Sequence, residues 1–292
     1  MMRQIVEILD LVGNTPLLKI RENVFAKLEA VNPSGSIKDR MALYMLEAAE
    51  KNKEIKPGCE IIEATSGNTG ISFAMIATLK GYKFTAIMAA TMSVERKHIM
   101  QMYGANIILT PTMEDAVTKL EEYNQKDNVW LPRQFDNQAN VDCHRETTGK
   151  EILQQLDEIG AFVAGVGTGG TLMGVAEALR KQFPNIKVVA VEPTESAVLS
   201  GGKAGLHKIQ GIGPGFIPKI VDMSRIDEIA KVKSDDAIEM TRRLARENGL
   251  FVGFSSGANV LASLQIAEKM PNENIVTVLP DRADRYLSVG LL

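Results

Sequence analysis

The sequence predicts an α/β protein made of open, mostly parallel twisted sheets covered by helices. Three observations carry this. Short β-branched runs alternate with stretches of helical period along the 292-residue chain. Each run is almost continuously apolar, as strands buried on both faces are. Glycine-rich turns join strand to helix at several points. The length suits two medium domains or one large one. Hydrophobic residues make up 45%, enough for a sizeable core, while 24% charged residues and a net charge of −3 leave no basic excess to attract nucleic acid.

In chain order, strands are expected at Val24–Glu29, Glu60–Ala64, Lys83–Met88, Asn106–Leu109, Ala161–Ala164, Lys187–Val191 and Asn274–Leu279. Helices are expected at Lys38–Asn52, Thr69–Lys80, Val94–Met102, Met113–Asn124, Glu146–Glu158, Thr171–Phe183, Ser234–Asn248 and Ala258–Met270. The polar, turn-rich stretch from Gln134 to Cys143 reads as a boundary between two α/β halves. It gives an N-terminal domain over 36–140 and a C-terminal domain over 1–35 and 141–292, with a ligand expected in the cleft between them. No internal repeat or low-complexity tract interrupts the pattern.

No apolar run reaches the length needed to span a bilayer. Met1-Met2-Arg3-Gln4-Ile5 lacks the apolar core of a signal peptide, so a cytoplasmic location is expected. Cys59 and Cys143 form no metal or redox spacing, and His98, His144 and His207 are too scattered to suggest a metal site.

Three segments invite chemistry. Gly165-Val166-Gly167-Thr168-Gly169-Gly170-Thr171 follows a strand and opens a helix. Glycines let backbone approach a ligand, and the new helix presents N–H groups and its positive dipole end to an anion. Thr168 and Thr171 add hydroxyls, so a phosphate suits this turn. The same residues also match a dinucleotide fingerprint, with Glu192 ending the next strand, and a bare strand–helix turn is a third reading.

Thr65-Ser66-Gly67-Asn68-Thr69-Gly70 is a second anion nest of the same construction. A nicotinamide enzyme needs one phosphate cradle. Two suit a phosphate and a carboxylate held side by side, although a simple Ser/Asn cap is the plainer reading.

Lys38, in Asn32-Pro33-Ser34-Gly35-Ser36-Ile37-Lys38-Asp39-Arg40, lies in the first turn of an expected helix. Small residues before it leave room for a bulky ring, and helix-start N–H groups disfavour the protonated amine. Asp39 and Arg40 read as a solvated pair and carry no assigned chemistry. One amine and two N–H-rich loops are what an aldehyde cofactor with a phosphate requires beside an amino-acid carboxylate; pyridoxal phosphate is such a cofactor.

Taken together these segments resemble the cysteine synthase (O-acetylserine sulfhydrylase) family, among the pyridoxal-phosphate enzymes of tryptophan synthase β-like fold type II. The resemblance covers nearly the whole chain. It implies Lys38 as the Schiff-base lysine and catalytic base. It implies Asn68 at the cofactor ring hydroxyl. Thr65, Ser66, Gly67, Asn68, Thr69 and Gln134, in Gln134-Phe135-Asp136-Asn137, would hold the substrate carboxylate. Gly167, Thr168, Gly169, Gly170 and Thr171 correspond to the phosphate loop. Gly253-Phe254-Ser255-Ser256-Gly257-Ala258 resembles the segment whose first serine faces the pyridine nitrogen, which places Ser255 there. His207-Lys208-Ile209-Gln210-Gly211-Ile212-Gly213 resembles a stretch at the cleft mouth, with Gly211 toward substrate. Met92-Ser93-x-Glu95-Arg96 resembles a family helix start.

Glu63-Ala64-Thr65 and Asp281-Arg282-x-Asp284-Arg285-Tyr286-Leu287-Ser288 resemble the cysteine synthase B branch. Departures are Ala89-Ala90, where the family has Pro-Glu, Pro214, where alanine is common, and an end at Leu292 without the tail of longer members. They bear on loop closure.

The implied reaction is β-replacement, turning O-acetyl-L-serine and sulfide into L-cysteine and acetate. The implied assembly is a homodimer, with serine acetyltransferase as a partner of some members, and no nucleic acid or membrane. Cystathionine β-synthase, O-phosphoserine sulfhydrylase and cysteine desulfhydrase share the scaffold, as do serine and threonine dehydratases, whose residues after Ser-Gly-Asn differ. A nicotinamide-dependent oxidoreductase and a non-catalytic binding protein are the alternatives outside this chemistry.

Overall fold

The computed structural model describes residues 6–90 and 93–290, and the chain divides into two units. The larger takes Gly13–Ile37 and Phe135–Leu292, described as far as Gly290; the smaller takes Met1–Val12, described from Val6, and Lys38–Gln134.

In the larger unit six strands form one sheet: β1 (Leu17–Arg21), β2 (Val24–Leu28), β7 (Ala161–Gly165), β8 (Lys187–Pro193), β9 (Glu228–Val232) and β10 (Ile275–Leu279). Their order is β1-β2-β10-β7-β8-β9, and all pairs are parallel except β1 with β2. Side chains alternate across this sheet with period two. Ala161 and Val163 of β7, Val189 and Val191 of β8, and Ile275 and Leu279 of β10 join the core under α8 (Ser234–Asn248) and α9 (Phe254–Lys269). Phe162 and Ala164, Val188 and Ala190, and Val276 and Val278 join a second core under α5 (Gln138–His144), α6 (Lys150–Gln155) and α7 (Gly170–Gln182). Both faces are covered, which is why these strands read as unbroken apolar runs.

The smaller unit has four parallel strands, β3 (Glu60–Ala64), β4 (Lys83–Ala89), β5 (Asn106–Thr110) and β6 (Val129–Trp130), in the order β5-β4-β3-β6. Its helices are α1 (Lys38–Lys51), α2 (Asn68–Lys80), α3 (Val94–Met102) and α4 (Met113–Glu121). Ala116 and Leu120 of α4 pack on Ile62 and Ala64 of β3 and Ile87 of β4. Phe73 of α2 meets Phe84 and Trp130 with ring centroids 5.9 and 6.2 Å apart.

Every expected strand and helix is present; Glu60–Ala64, Val94–Met102 and Ser234–Asn248 keep the expected ends and the others are shifted. Three strands escaped the sequence reading, and all three are sheet edges. β1 carries Lys19 and Arg21, β9 carries Glu228 and Lys231, and β6 has only two residues. An edge strand is half solvated, so it lacks the apolar run of an inner strand. α5 occupies part of the segment read as turn-rich: Asn137 caps it, accepting from the Ala139 N–H at 2.9 Å, and Asn140, Val141, Cys143 and His144 are buried. The helix expected over Glu146–Glu158 instead opens with a π turn at Arg145–Gly149 and ends at Gln155.

α9 begins four residues before the expected Ala258, because burial of Phe254, Ser255 and Ser256, with Phe254 in the core shared with α8, overrides their weak helix propensity. Asp39 and Arg40 are buried, not a solvated pair. Met92 and the stretch Met1–Ile5 lie outside the described residues. Among the described residues no helix is long and apolar enough to cross a membrane, and the buried Cys59 and Cys143 form no disulfide there.

Candidate active site

In the smaller unit, β3 ends at Ala64 and the chain turns through Thr65-Ser66-Gly67 into α2. The Thr65 N–H donates to Ile87 O at 2.9 Å, which anchors the turn to the end of β4, and Thr65 Oγ1 accepts from the Gly67 N–H at 3.4 Å. Gly67 is the N-cap of α2 and has no side chain with which to cap it. Thr69 Oγ1 donates to Gln134 Oε1 at 2.6 Å, with both residues buried. The structure thus brings together two residues 65 positions apart that the resemblance assigned to one carboxylate.

Lys38 is the first residue of α1 and is half buried. Next to it, Asp39 Oδ1 accepts from Ser72 Oγ at 2.6 Å, tying the first turn of α1 to α2. The other deeply placed amine is Lys27 in the larger unit. Its ammonium is committed to Glu151 at 2.6 Å, to Gln155 Oε1 at 3.0 Å and to Thr15 O. A buried ammonium held so closely is a structural ion pair.

In the larger unit, β7 runs into Gly165-Val166-Gly167-Thr168-Gly169 and then α7. Gly169, the N-cap, has φ +91°, a left-handed conformation that disfavours any side chain, and again has no side chain with which to cap the helix. At Gly167 a Cβ would fall 2.3 Å from Gly211 O, so only glycine lets these two backbones approach. A Cβ at Gly211 would in turn lie 3.8 Å from Ser255 Oγ. The Gly165–Gly169 turn, Gly211 and Ser255 therefore converge.

Ser255 is 3% exposed in the first turn of α9. Thr168 Oγ1 accepts from Asn140 Nδ2 at 3.0 Å, which orients its hydroxyl. Thr171 Oγ1 lies 3.2 Å from His144 Nε2, and His144 Nδ1 lies 3.0 Å from Thr148 Oγ1.

Two residues to which the sequence assigns no role hold this half together. His144 was passed over as a scattered histidine, yet Thr148 four residues on is its neighbour on one helical face. Asn259, one turn after Ser255, accepts from the Gly165 N–H at 2.8 Å and donates to Val278 O at 2.9 Å, fixing the start of α9 against the loop. A polar residue at i+4 inside an apolar helix was its only signal.

One carboxyl in the smaller unit stands apart. Glu63 is 2% exposed, and burial pushes its pKa up to about 7 despite hydrogen bonds from the backbone N–H groups of Gln134, Arg133 and Ala64. Among the described residues no cluster of three or more His, Cys, Asp or Glu side chains could hold a metal ion.

The α7 loop offers only N–H and O–H groups around a glycine-capped helix start, a donor set that suits a phosphate dianion. A two-unit α/β protein with one such cradle in each sheet and a lysine at a helix start belongs to the class of pyridoxal-phosphate enzymes of fold type II. The chain matches the family described as "Pyridoxal-phosphate dependent enzyme" over residues 8–281, and it belongs to that family. Its cofactor is pyridoxal phosphate, and the nicotinamide alternative falls.

It is 48% identical over 297 aligned residues to a cysteine synthase of Staphylococcus aureus, covering 97% of this chain and 96% of that protein. Among solved structures it is similar to a cysteine synthase from Entamoeba histolytica, at 40% identity and TM-score 0.94 over 99% of this chain and 91% of that one. It is also similar to an O-acetylserine-dependent cystathionine β-synthase from Helicobacter pylori, at 38% identity and TM-score 0.93 over 99% of both chains.

Proposed function

We propose that this protein is a cysteine synthase, replacing the acetoxy group of O-acetyl-L-serine with sulfide to give L-cysteine and acetate. The observation that carries it is the Thr69–Gln134 pair at the glycine-capped start of α2, in a chain 48% identical to a cysteine synthase over 97% of its length. In this reading Gly167–Thr171 hold the cofactor phosphate at the α7 start, Asn68 meets its ring hydroxyl, and Ser255 hydrogen-bonds its ring nitrogen. Thr65, Ser66, Gly67, Asn68, Thr69 and Gln134 hold the substrate carboxylate, and Gly211 borders the substrate. Pyridoxal phosphate, when bound, supplies the sink for the electron pair left at the α-carbon.

The protein's own residues do the rest. The carboxylate cradle aligns the α-C–H bond with the Lys38 amine. Lys38 Nζ takes the α-proton, acetate leaves the β-carbon with its bonding pair, and hydrosulfide adds there. The proton on Lys38 then returns to the α-carbon. A hydroxyl at Ser255 leaves the ring nitrogen without the charge an aspartate would stabilise, which favours short-lived elimination over sustained carbanion chemistry.

In the same reading the protein is a cytoplasmic homodimer, and serine acetyltransferase is a partner to test. The decisive experiment feeds the holoenzyme O-acetyl-L-serine with sulfide and measures L-cysteine and acetate. Equimolar release supports the proposal. Turnover of O-phosphoserine or serine in place of O-acetylserine would move the donor, and inertness to all three would sink the reading. The likeness to the Helicobacter pylori enzyme favours one second reading, with homocysteine as the thiol; faster cystathionine than cysteine formation from O-acetylserine would select it.

A further inference from the structure

We propose that Glu63 is a positioning residue for the substrate carboxylate, acting through the backbone of Arg133 and Gln134; this rests on the proposed role of the Thr69–Gln134 pair. β3 and β6 are parallel, with Glu60 opposite Val129 and Ile61 opposite Trp130. Two residues beyond that register, Glu63 lies alongside the chain as it leaves β6 toward Gln134.

That chain makes a strained corner. Arg133 has φ +55°, a left-handed conformation uncommon outside glycine, asparagine and aspartate. Such a conformation persists only where its surroundings overdetermine it, and here two contacts do so. Outside, the Arg133 guanidinium is held by Glu121 at 3.0 and 2.9 Å and by Asn124 at 3.2 Å. Inside, the Glu63 carboxyl accepts from the backbone N–H of Gln134 at 3.4 Å, at the residue that follows Arg133.

The next link in the chain is the Gln134 side chain, whose oxygen accepts from Thr69 Oγ1 at 2.6 Å. Glu63 also lies on β3, one residue before the strand ends at Ala64 and leads into Thr65. One residue thus joins both sides of the cradle: the loop that carries Thr65 to Thr69 and the corner that carries Gln134. Burying a carboxyl is costly, and an apolar side chain would fill the same volume without that cost. Its placement is explained if the corner must be held in register for a ligand.

The test compares wild type with Glu63→Gln, which keeps the shape but faces the N–H groups with an amide. Steady-state KM values for O-acetylserine and for sulfide are measured, together with the dissociation constant for L-serine by calorimetry on the holoenzyme. The expected result is a rise of about tenfold or more in KM for O-acetylserine and in the L-serine constant, with KM for sulfide and the visible cofactor absorption unchanged. In a Gln134→Ala background, Glu63→Gln should add less than about twofold, since both act through one group.

Unchanged amino-acid binding with only a lowered melting temperature would overturn the proposal, as would additivity in the double variant. If Glu63→Gln does not fold, Glu63→Asp, one methylene shorter, must show the same selective rise. The L-serine measurement needs no turnover. It tests Glu63 even if wild type proves inert toward O-acetylserine, which would count against the proposed function alone.

Discussion

α2 and α7 begin on glycine, whereas α4 begins on threonine. At α4, Thr112 Oγ1 accepts from the Asp115 N–H at 3.1 Å and the Asp115 carboxylate accepts from the Thr112 N–H at 3.0 Å, a reciprocal capping box. At α2 and α7 the caps are Gly67 and Gly169, which have no side chain to offer the first-turn donors. A good cap is worth about 1 kcal/mol. Each glycine-capped start forgoes part of that stability and keeps an anion site open, to be recovered when a phosphate or carboxylate binds. The corner at Arg133–Gln134 is a third solution, in which the protein supplies the acceptor from Glu63. The difference separates helix starts that serve the fold from those that serve a ligand.

The largest expected effect tests whether chemistry gathers at these starts. Lys38 opens α1. Lys38→Ala should lower turnover by at least about 10³-fold, because nucleophile and base are lost together. It should also abolish the visible band of the lysine–cofactor linkage while leaving the melting temperature within a few degrees. Turnover near the wild-type rate would remove Lys38 from its role and with it the functional meaning of the comparison.

Next comes an exchange of one kind of start for the other. Gly67 has φ −114°, which any residue adopts, and a Cβ there meets nothing within 4 Å. Gly67→Asp should therefore cap α2 and raise the stability of the cofactor-free protein by roughly 0.2–0.5 kcal/mol. The same carboxylate would occupy the place proposed for the substrate's, so KM for O-acetylserine should rise roughly 10²–10³-fold. Urea unfolding and steady-state kinetics on one preparation read both. A gain in stability without a loss in binding would break the comparison.

The same contrast explains what the sequence disclosed. Inner strands such as β7 and β8 are buried on both faces and announce themselves as apolar runs. The glycine-rich starts are legible because ligand-facing backbone demands glycine and small hydroxyl residues at fixed offsets. Lys38, the Thr65–Gly70 loop and the Gly167–Thr171 loop could be picked out on chemistry alone. Gln134, Gly211 and Ser255 could not, since their meaning lies in contacts across long sequence separations, and only the family resemblance marked them. His144, Asn259 and Glu63 hold other residues in place through a few hydrogen bonds each, which leave no periodic trace. Edge strands β1, β6 and β9 escaped because half-solvated residues have no apolar signature.

Glu63 sharpens the third solution through pH. Its folded pKa of about 7 lies above the ordinary value of 4.5, so the folded state holds its proton more tightly than the unfolded state. The associated stability is full below about pH 4.5 and is lost as pH rises through about 7. Urea unfolding of wild type and Glu63→Gln at pH 5 and pH 8 should show the difference between them moving against wild type at the higher pH, by at most about 3 kcal/mol. A difference independent of pH would mean that the three backbone donors fully offset burial and that this acceptor is as settled as the Thr112 cap.

The smallest effect belongs to that cap. Thr112 and Asp115 are exposed, and their hydrogen bonds close within one turn. Thr112→Ala removes the acceptor for the Asp115 N–H and leaves that donor to water, so the cost is the cap's own, about 1 kcal/mol. α4 covers β3 and β4 through Ala116 and Leu120, and that packing survives the change. Cofactor binding and both KM values should stay within twofold of wild type while urea unfolding shows the loss. The result has force only beside Gly67→Asp. Removing a cap from a helix that serves the fold should cost stability and spare function; adding one to a helix that serves a ligand should do the reverse. If Thr112→Ala instead altered the affinity for O-acetylserine, the α4 start would be coupled to the site through β3, and helix starts in this protein could not be sorted by what fills them.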